Sequence, residues 1–152
     1  MESIFETKDK NDLVTAISGH IAKKSAYGDK IDILNEVEKV FYFVSTFEEE
    51  VNSGGFGSFF GNSYGDFTKE TLEALITIDA KKTAKLFHKA IRKFKHGIVP
   101  LDYEERQEIV YKLEDKEAWE KLDDKFYSIK YAEELLDTQY KFLMEHKEKF
   151  SV

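Results

Sequence analysis

The chain has 152 residues, 41% hydrophobic and 35% charged, with a formal net charge of −7 and no cysteine. That length suits one domain burying roughly two-thirds of its unfolded surface, and the absent thiols exclude disulfides, thiolate metal centres and cysteine nucleophiles. The N-terminal run Met-Glu-Ser-Ile-Phe-Glu-Thr-Lys lacks a signal peptide's basic start and apolar core, and no apolar stretch nears the ~18 residues of a membrane span, so a cytoplasmic protein without a membrane partner is expected.

With one proline, Pro100, long stretches are free to be helical. Leu13, Val14, Ile17 and Ile21 form a one-sided stripe after a cap at Asn11 or Asp12, ending near Gly28. From Ile31 to Val51 the apolar positions Ile33, Leu34, Val37, Phe41, Val44, Phe47 and Val51 recur at three and four, and Val40, Tyr42 and Phe43 widen the face into that of a central helix. Gly54 stands where a left-handed cap would close it. Asp66 or Thr68 is placed to cap a helix carrying Leu72, Leu75 and Ile76, and Asp79 one carrying Ala84, Phe87, Ile91 and Phe94, which Gly97 and Pro100 stop. Asp102 with Glu105 resembles a capping box before Ile109, Val110 and Leu113. Trp119, Leu122, Phe126 and Ile129 give the next stripe, and Leu136, Tyr140, Leu143 and Phe150 the last. No strand-like alternation interrupts this pattern, so a single all-α domain of six or seven helices over residues 1–152 is expected.

Two segments stand apart in chemistry. Asn52 to Asp66 holds five of the eight glycines beside Phe56, Phe59, Phe60 and Tyr64, a mixture that describes a tightly turned, packed connection. It offers either a partner pocket with Asn52 and Asn62 as polar anchors, or buried aromatics with the asparagines satisfying turn backbone, Asn62 as a left-handed turn residue. Charge is also uneven: residues 1–78 carry −7, residues 79–97 carry +6 and residues 98–152 carry −6. The basic block sets Lys81, Lys85, Lys89 and Lys93 at intervals of four, one helix face that suits a phosphate backbone or simply the solvated side of an amphipathic helix.

The run Glu-Val-Asn-Ser-Gly-Gly-Phe-Gly-Ser-Phe-Phe-Gly-Asn-Ser, Glu50 to Ser63, resembles the hallmark of a bacterial family, a domain long of unknown function that includes a DNA-mimic protein. A break near Ile78-Asp79-Ala80 and a Leu-Asp-x-x-Phe-Tyr element at Leu122 to Tyr127 follow in the family's order, so the resemblance spans roughly residues 30–150. It implies an all-helical fold, and Asn52, Gly54, Gly55, Phe56, Phe59, Phe60 and Asn62 as family-motif positions, structural or partner-binding. It also implies a protein partner whose DNA-binding face is occupied by a DNA-like surface. Mimicry needs carboxylates on a rigid scaffold, and Glu104, Glu105, Glu108, Glu114, Asp115, Glu117, Glu120, Asp123 and Asp124 make the densest acidic stretch, interleaved with Arg106, Lys112, Lys116, Lys121 and Lys125.

Catalysis finds little support. The histidines His20, His88, His96 and His146 are scattered with no His-Glu-x-x-His spacing, so no metal site and no cofactor are expected. Glu48, Glu49 and Glu50 diverge by about 100° per helical residue and should spread over a wet surface. No nucleophile and base are paired. The reading is a non-enzymatic interaction module whose acidic helix faces meet a basic DNA-binding regulator. The alternatives are an immunity-type or other regulator bound through the Gly-Gly-Phe surface, and nucleic-acid binding through the basic helix 81–95. Trp119 is expected in the core.

Overall fold

A computed structural model describes residues 4–6 and 9–150. These residues form seven α-helices, α1 Lys10–Lys24, α2 Glu36–Gly61, α3 Thr68–Thr77, α4 Lys81–Ile91, α5 Tyr103–Asp115, α6 Glu120–Phe126 and α7 Ile129–Glu145, joined by short turns, with no strand among them. The expected all-α class is what forms. Helix α2 is the hub, with α1, α3, α5 and α6 packed against it, while α7 lies against α1 and α4.

The wide apolar face of α2 makes it central. Phe41, Val44, Phe47 and Val51 are fully buried, Tyr42 and Phe43 nearly so, and Phe47 meets Phe87 of α4 with ring centroids 4.7 Å apart. Burying one such ring contributes about 1.5–3 kcal/mol, and edge or offset contact adds further preference for one arrangement. Phe60, Phe94 and Trp119 extend the cluster. Trp119 is 2% exposed and its indole N–H donates to the Ala90 carbonyl at 3.0 Å, a core residue as expected.

Several helix ends differ from the expected ones, each because a different group satisfies the backbone. Asp9, not Asn11 or Asp12, caps α1 by accepting from the Asn11 and Asp12 N–H groups. α2 starts after Asn35, which forms a capping box with Glu38, so Ile33 lies in the preceding turn and is 54% exposed. Gly54 does not end α2. The helix bends at Gly55, whose φ of 77° and ψ of −176° suit only glycine, and resumes to Gly61. Neither Asp66 nor Thr68 caps α3, which has no side-chain cap, and Thr68 Oγ1 bonds the Gly65 carbonyl. Asp79 is left-handed at φ 69° and does not cap α4. Glu134 of α7 does so from across the fold, accepting from the Lys82 and Thr83 N–H groups at 3.0 and 2.8 Å. Asp102 does cap α5, accepting from Glu105 N–H at 2.8 Å.

Three expected stripes also turn slightly. Ile76 and Ile129 are 62% and 74% exposed, contrary to expectation. On α7 the buried face is Leu135, Gln139, Phe142 and Leu143, with Leu136 and Tyr140 half-buried beside it. Among the described residues no helix is long and apolar enough to cross a membrane.

Candidate functional site

The Gly-Gly-Phe segment is a bend, and its aromatics point into the core. Phe56, Phe59 and Phe60 are at most 1% exposed, so the aromatic partner pocket read from sequence is not formed by them. Asn52, Gly54 and Asn62 remain exposed, and Gly55 is buried. Breaking the helix at Gly55 frees N–H groups at the start of its second half, and the Asp123 carboxylate accepts one, from Phe56, at 2.9 Å. A Cβ at Gly55 would lie 2.5 Å from Asp123 Oδ2, so the glycine serves both the dihedral and the approach. Glu50 closes the segment from the other side by accepting from Ser58 and Asn62. Asn62 itself is extended, with φ −97°, and not left-handed.

Helix α5 is held against this bend by Arg106, which the sequence interleaves with the acids. It is 0% exposed. Its guanidinium donates to the Phe60, Pro100, Leu101 and Asn62 carbonyls at 2.7, 3.0, 3.4 and 3.2 Å and pairs with Asp66 at 2.9 Å. Nothing in the spacing of Arg106 distinguishes it from a surface cation. Only its position opposite an unpaired run of carbonyls, invisible in sequence, does so.

With Arg106 turned inward, the outward side of α5 and α6 keeps its acids. Glu104, Glu105, Glu108, Glu114, Asp115, Glu117, Glu120 and Asp124 are exposed, while Asp123 is half-buried at the bend. Among the described residues none of these nine acids lies within ion-pair distance of a lysine or arginine. Lys112, Lys116, Lys121 and Lys125 therefore interleave with them in sequence without pairing in space. The acids instead feel one another. Glu117, by charge and then by a shared hydrogen bond, holds Glu120 above its ordinary value, with Asp124 adding to the shift. Asp123 is also raised, first by burial and then by Asp124 and Glu114, against the lowering effect of the Phe56 hydrogen bond. Glu117 sits at the α5–α6 corner with φ 55°, an uncommon conformation for a residue with a side chain.

Beside these acids, Gly57, Ser58, Gly61, Gln107, Tyr111 and Glu114 line a shallow groove of about 200 Å³ between the tail of α2 and α5. Tyr111 is 71% exposed at its edge. The basic helix expected over 81–95 ends at Ile91; Lys81, Lys85 and Lys89 of α4 and Lys93 in the turn after it are exposed, and only Lys81 has an ion-pair partner among the described residues, Asp79 at 3.6 Å. The basic helix thus faces solvent and does not cover the acidic one.

Sequence reasoning missed one further group. Glu48 does not lie on a wet surface with Glu49. It is half-buried between α1, α2 and α7, and burial pushes its carboxyl up.

No curated protein and no solved structure matches the chain. A family model does, over residues 32–146, which take in the bend at Gly55, the Arg106 anchor and the whole acidic stretch. By that match, which agrees with the resemblance to the DNA-mimic family, the chain belongs to the DMP19-like protein family.

Proposed function

We propose that this protein is a non-enzymatic interaction module whose α5–α6 acids engage the DNA-binding surface of a basic regulator in the manner of DNA. The observation that carries the reading is eight exposed carboxylates on α5, α6 and the corner between them with no ion-pair partner among the described residues. Unpaired like charges raise the energy of the free protein, and a cationic surface relieves that repulsion on binding. Helical spacing favours such a display. Glu104 and Glu108, like Glu120 and Asp124, are one turn apart, about 6 Å along the axis. Family membership supports the same role. Reversing Glu104, Glu105, Glu108, Glu117 and Glu120 to lysine should weaken partner capture and flatten its salt dependence. Capture that survives the reversal at unchanged salt sensitivity would exclude the acidic face as the binding surface.

A second reading rests on the exposed lysines of α4 and of the turn after it, largely unpaired among the described residues, which suit a nucleic-acid backbone. Changing Lys85, Lys89 and Lys93 to glutamate should then eliminate a low-salt mobility shift of duplex DNA or RNA. The parent protein giving no shift at low salt would end this reading. The immunity-type alternative loses its aromatic surface, since Phe56, Phe59 and Phe60 are buried. The recognition elements left to it are Asn52, Gly54 and Asn62.

A further inference from the structure

Helix α2 carries a fully buried acid, Glu38, and a half-buried one, Glu48, and the fold treats them differently. Glu38 is fully buried and both its oxygens meet the Lys24 ammonium, at 2.8 and 2.9 Å, while Oε1 also accepts from the Asn35 N–H. Among the described residues Glu48 has no ion-pair partner. Its Oε1 accepts from Gln139 Nε2 at 3.2 Å, and its Oε2 has no hydrogen-bond partner among the described residues. Yet burial is the main influence on this carboxyl and raises it. A partly desolvated carboxylate whose second oxygen stays open to solvent is placed to gain from a counter-charge brought to it.

The space beside Glu48 is large enough for that partner. A cleft of about 650 Å³ opens where α1, α2 and α7 diverge, within the size range of small-molecule sites. Its polar lining crosses all three helices: Ser18 of α1 bonds Ser45 of α2 at 3.2 Å, Ser45 reaches Gln139 of α7 at 3.5 Å, and Gln139 holds Glu48. Gln139 and Ser45 are 1% and 7% exposed, so this part of the lining is fixed. Val14, Ala22 and Leu136 supply apolar wall, Glu49 a second carboxylate, and among the described residues no lysine or arginine lines the cleft.

We infer that this cleft is a binding site for an organic cation, an ammonium or guanidinium on an aliphatic stem, with Glu48 as its counter-ion. The stem lies along Val14, Ala22 and Leu136, and the cation takes the place at Glu48 that Lys24 takes at Glu38. The site is separate from the α5–α6 acids and stands independently of the role proposed for them.

Two probes distinguish the sources of such a cation: 1,4-diaminobutane for a free amine, and N-acetyl-arginine amide for the side chain of a partner protein. Amide shifts of the labelled protein should move at Ser18, Ser45 and Gln139 with either probe, and the tighter probe identifies the source. The neutral 1,4-butanediol should leave them still. Glu48→Gln, which keeps the bond from Gln139, should weaken binding at least about tenfold. Gly19→Tyr provides a second block, since a Cβ there meets nothing within 4 Å and the ring would fill the cleft mouth. Equal affinity in Glu48→Gln, equal binding of the diol, or shifts confined to the α5–α6 acids would each overturn the inference, as would no shift with either cation.

Discussion

At the scale of single residues, glycines with the same name have opposite consequences. Gly55 combines a dihedral only glycine tolerates with a Cβ direction blocked by the Asp123 carboxylate. Gly55→Ala should therefore lose about 2 kcal/mol or more in urea unfolding. Gly19 has neither constraint and sits mid-helix in α1, so Gly19→Ala should gain about 0.5–1 kcal/mol in the same assay. The acids show a parallel contrast. Glu120 is raised by Glu117, so the folded state takes up its proton at a higher pH than the unfolded chain does. Stability from this group accordingly falls as pH rises through the range just above the ordinary carboxylate value of 4.5. Glu120→Gln should raise the thermal midpoint at pH 7, and the gain should shrink as pH is lowered through that range. A gain independent of pH would show that repulsion from Glu117 is not its source.

At the scale of elements, the helices themselves are legible in the sequence because their apolar residues recur at the helical period, and α2 is legible as central because its stripe is wide. Their ends are less so. Local caps such as Asp102 can be read from neighbouring residues, whereas α4 is capped by Glu134 from 51 residues further on, and no local pattern encodes that. The helix end expected at Gly54 is instead a bend at Gly55 for the same reason: Gly54 and Gly55 are equivalent in sequence and only Asp123 tells them apart. Arg106 is the clearest case, an anchor that reads as a surface charge. Arg106→Met should cost about 3–5 kcal/mol by leaving the Phe60, Asn62 and Pro100 carbonyls and Asp66 unpartnered, measured by denaturant unfolding. Arg106→Lys should recover only part of the loss, because one ammonium cannot reach the same fan of acceptors.

At the scale of the whole molecule, charge segregation in sequence survives folding as charge segregation in space. The +6 block of residues 79–97 exposes its lysines along α4 and the turns after it, and the acids of residues 104–124 are displayed on α5, α6 and their corner. That segregation is visible in the composition. Whether the interleaved lysines neutralise the acids is not, since pairing depends on side-chain direction and not on sequence distance. A free acidic face, with α5 tied to the bend by Arg106 and α6 by Asp123, is the feature on which the proposed mimic role rests. The most direct test is to load the protein with its captured partner and add duplex DNA at low salt. DNA should displace the protein competitively, with the two never bound to the partner together. A stable ternary complex, or a partner that stays bound under saturating duplex, would show that the acidic face does not occupy a DNA-binding surface.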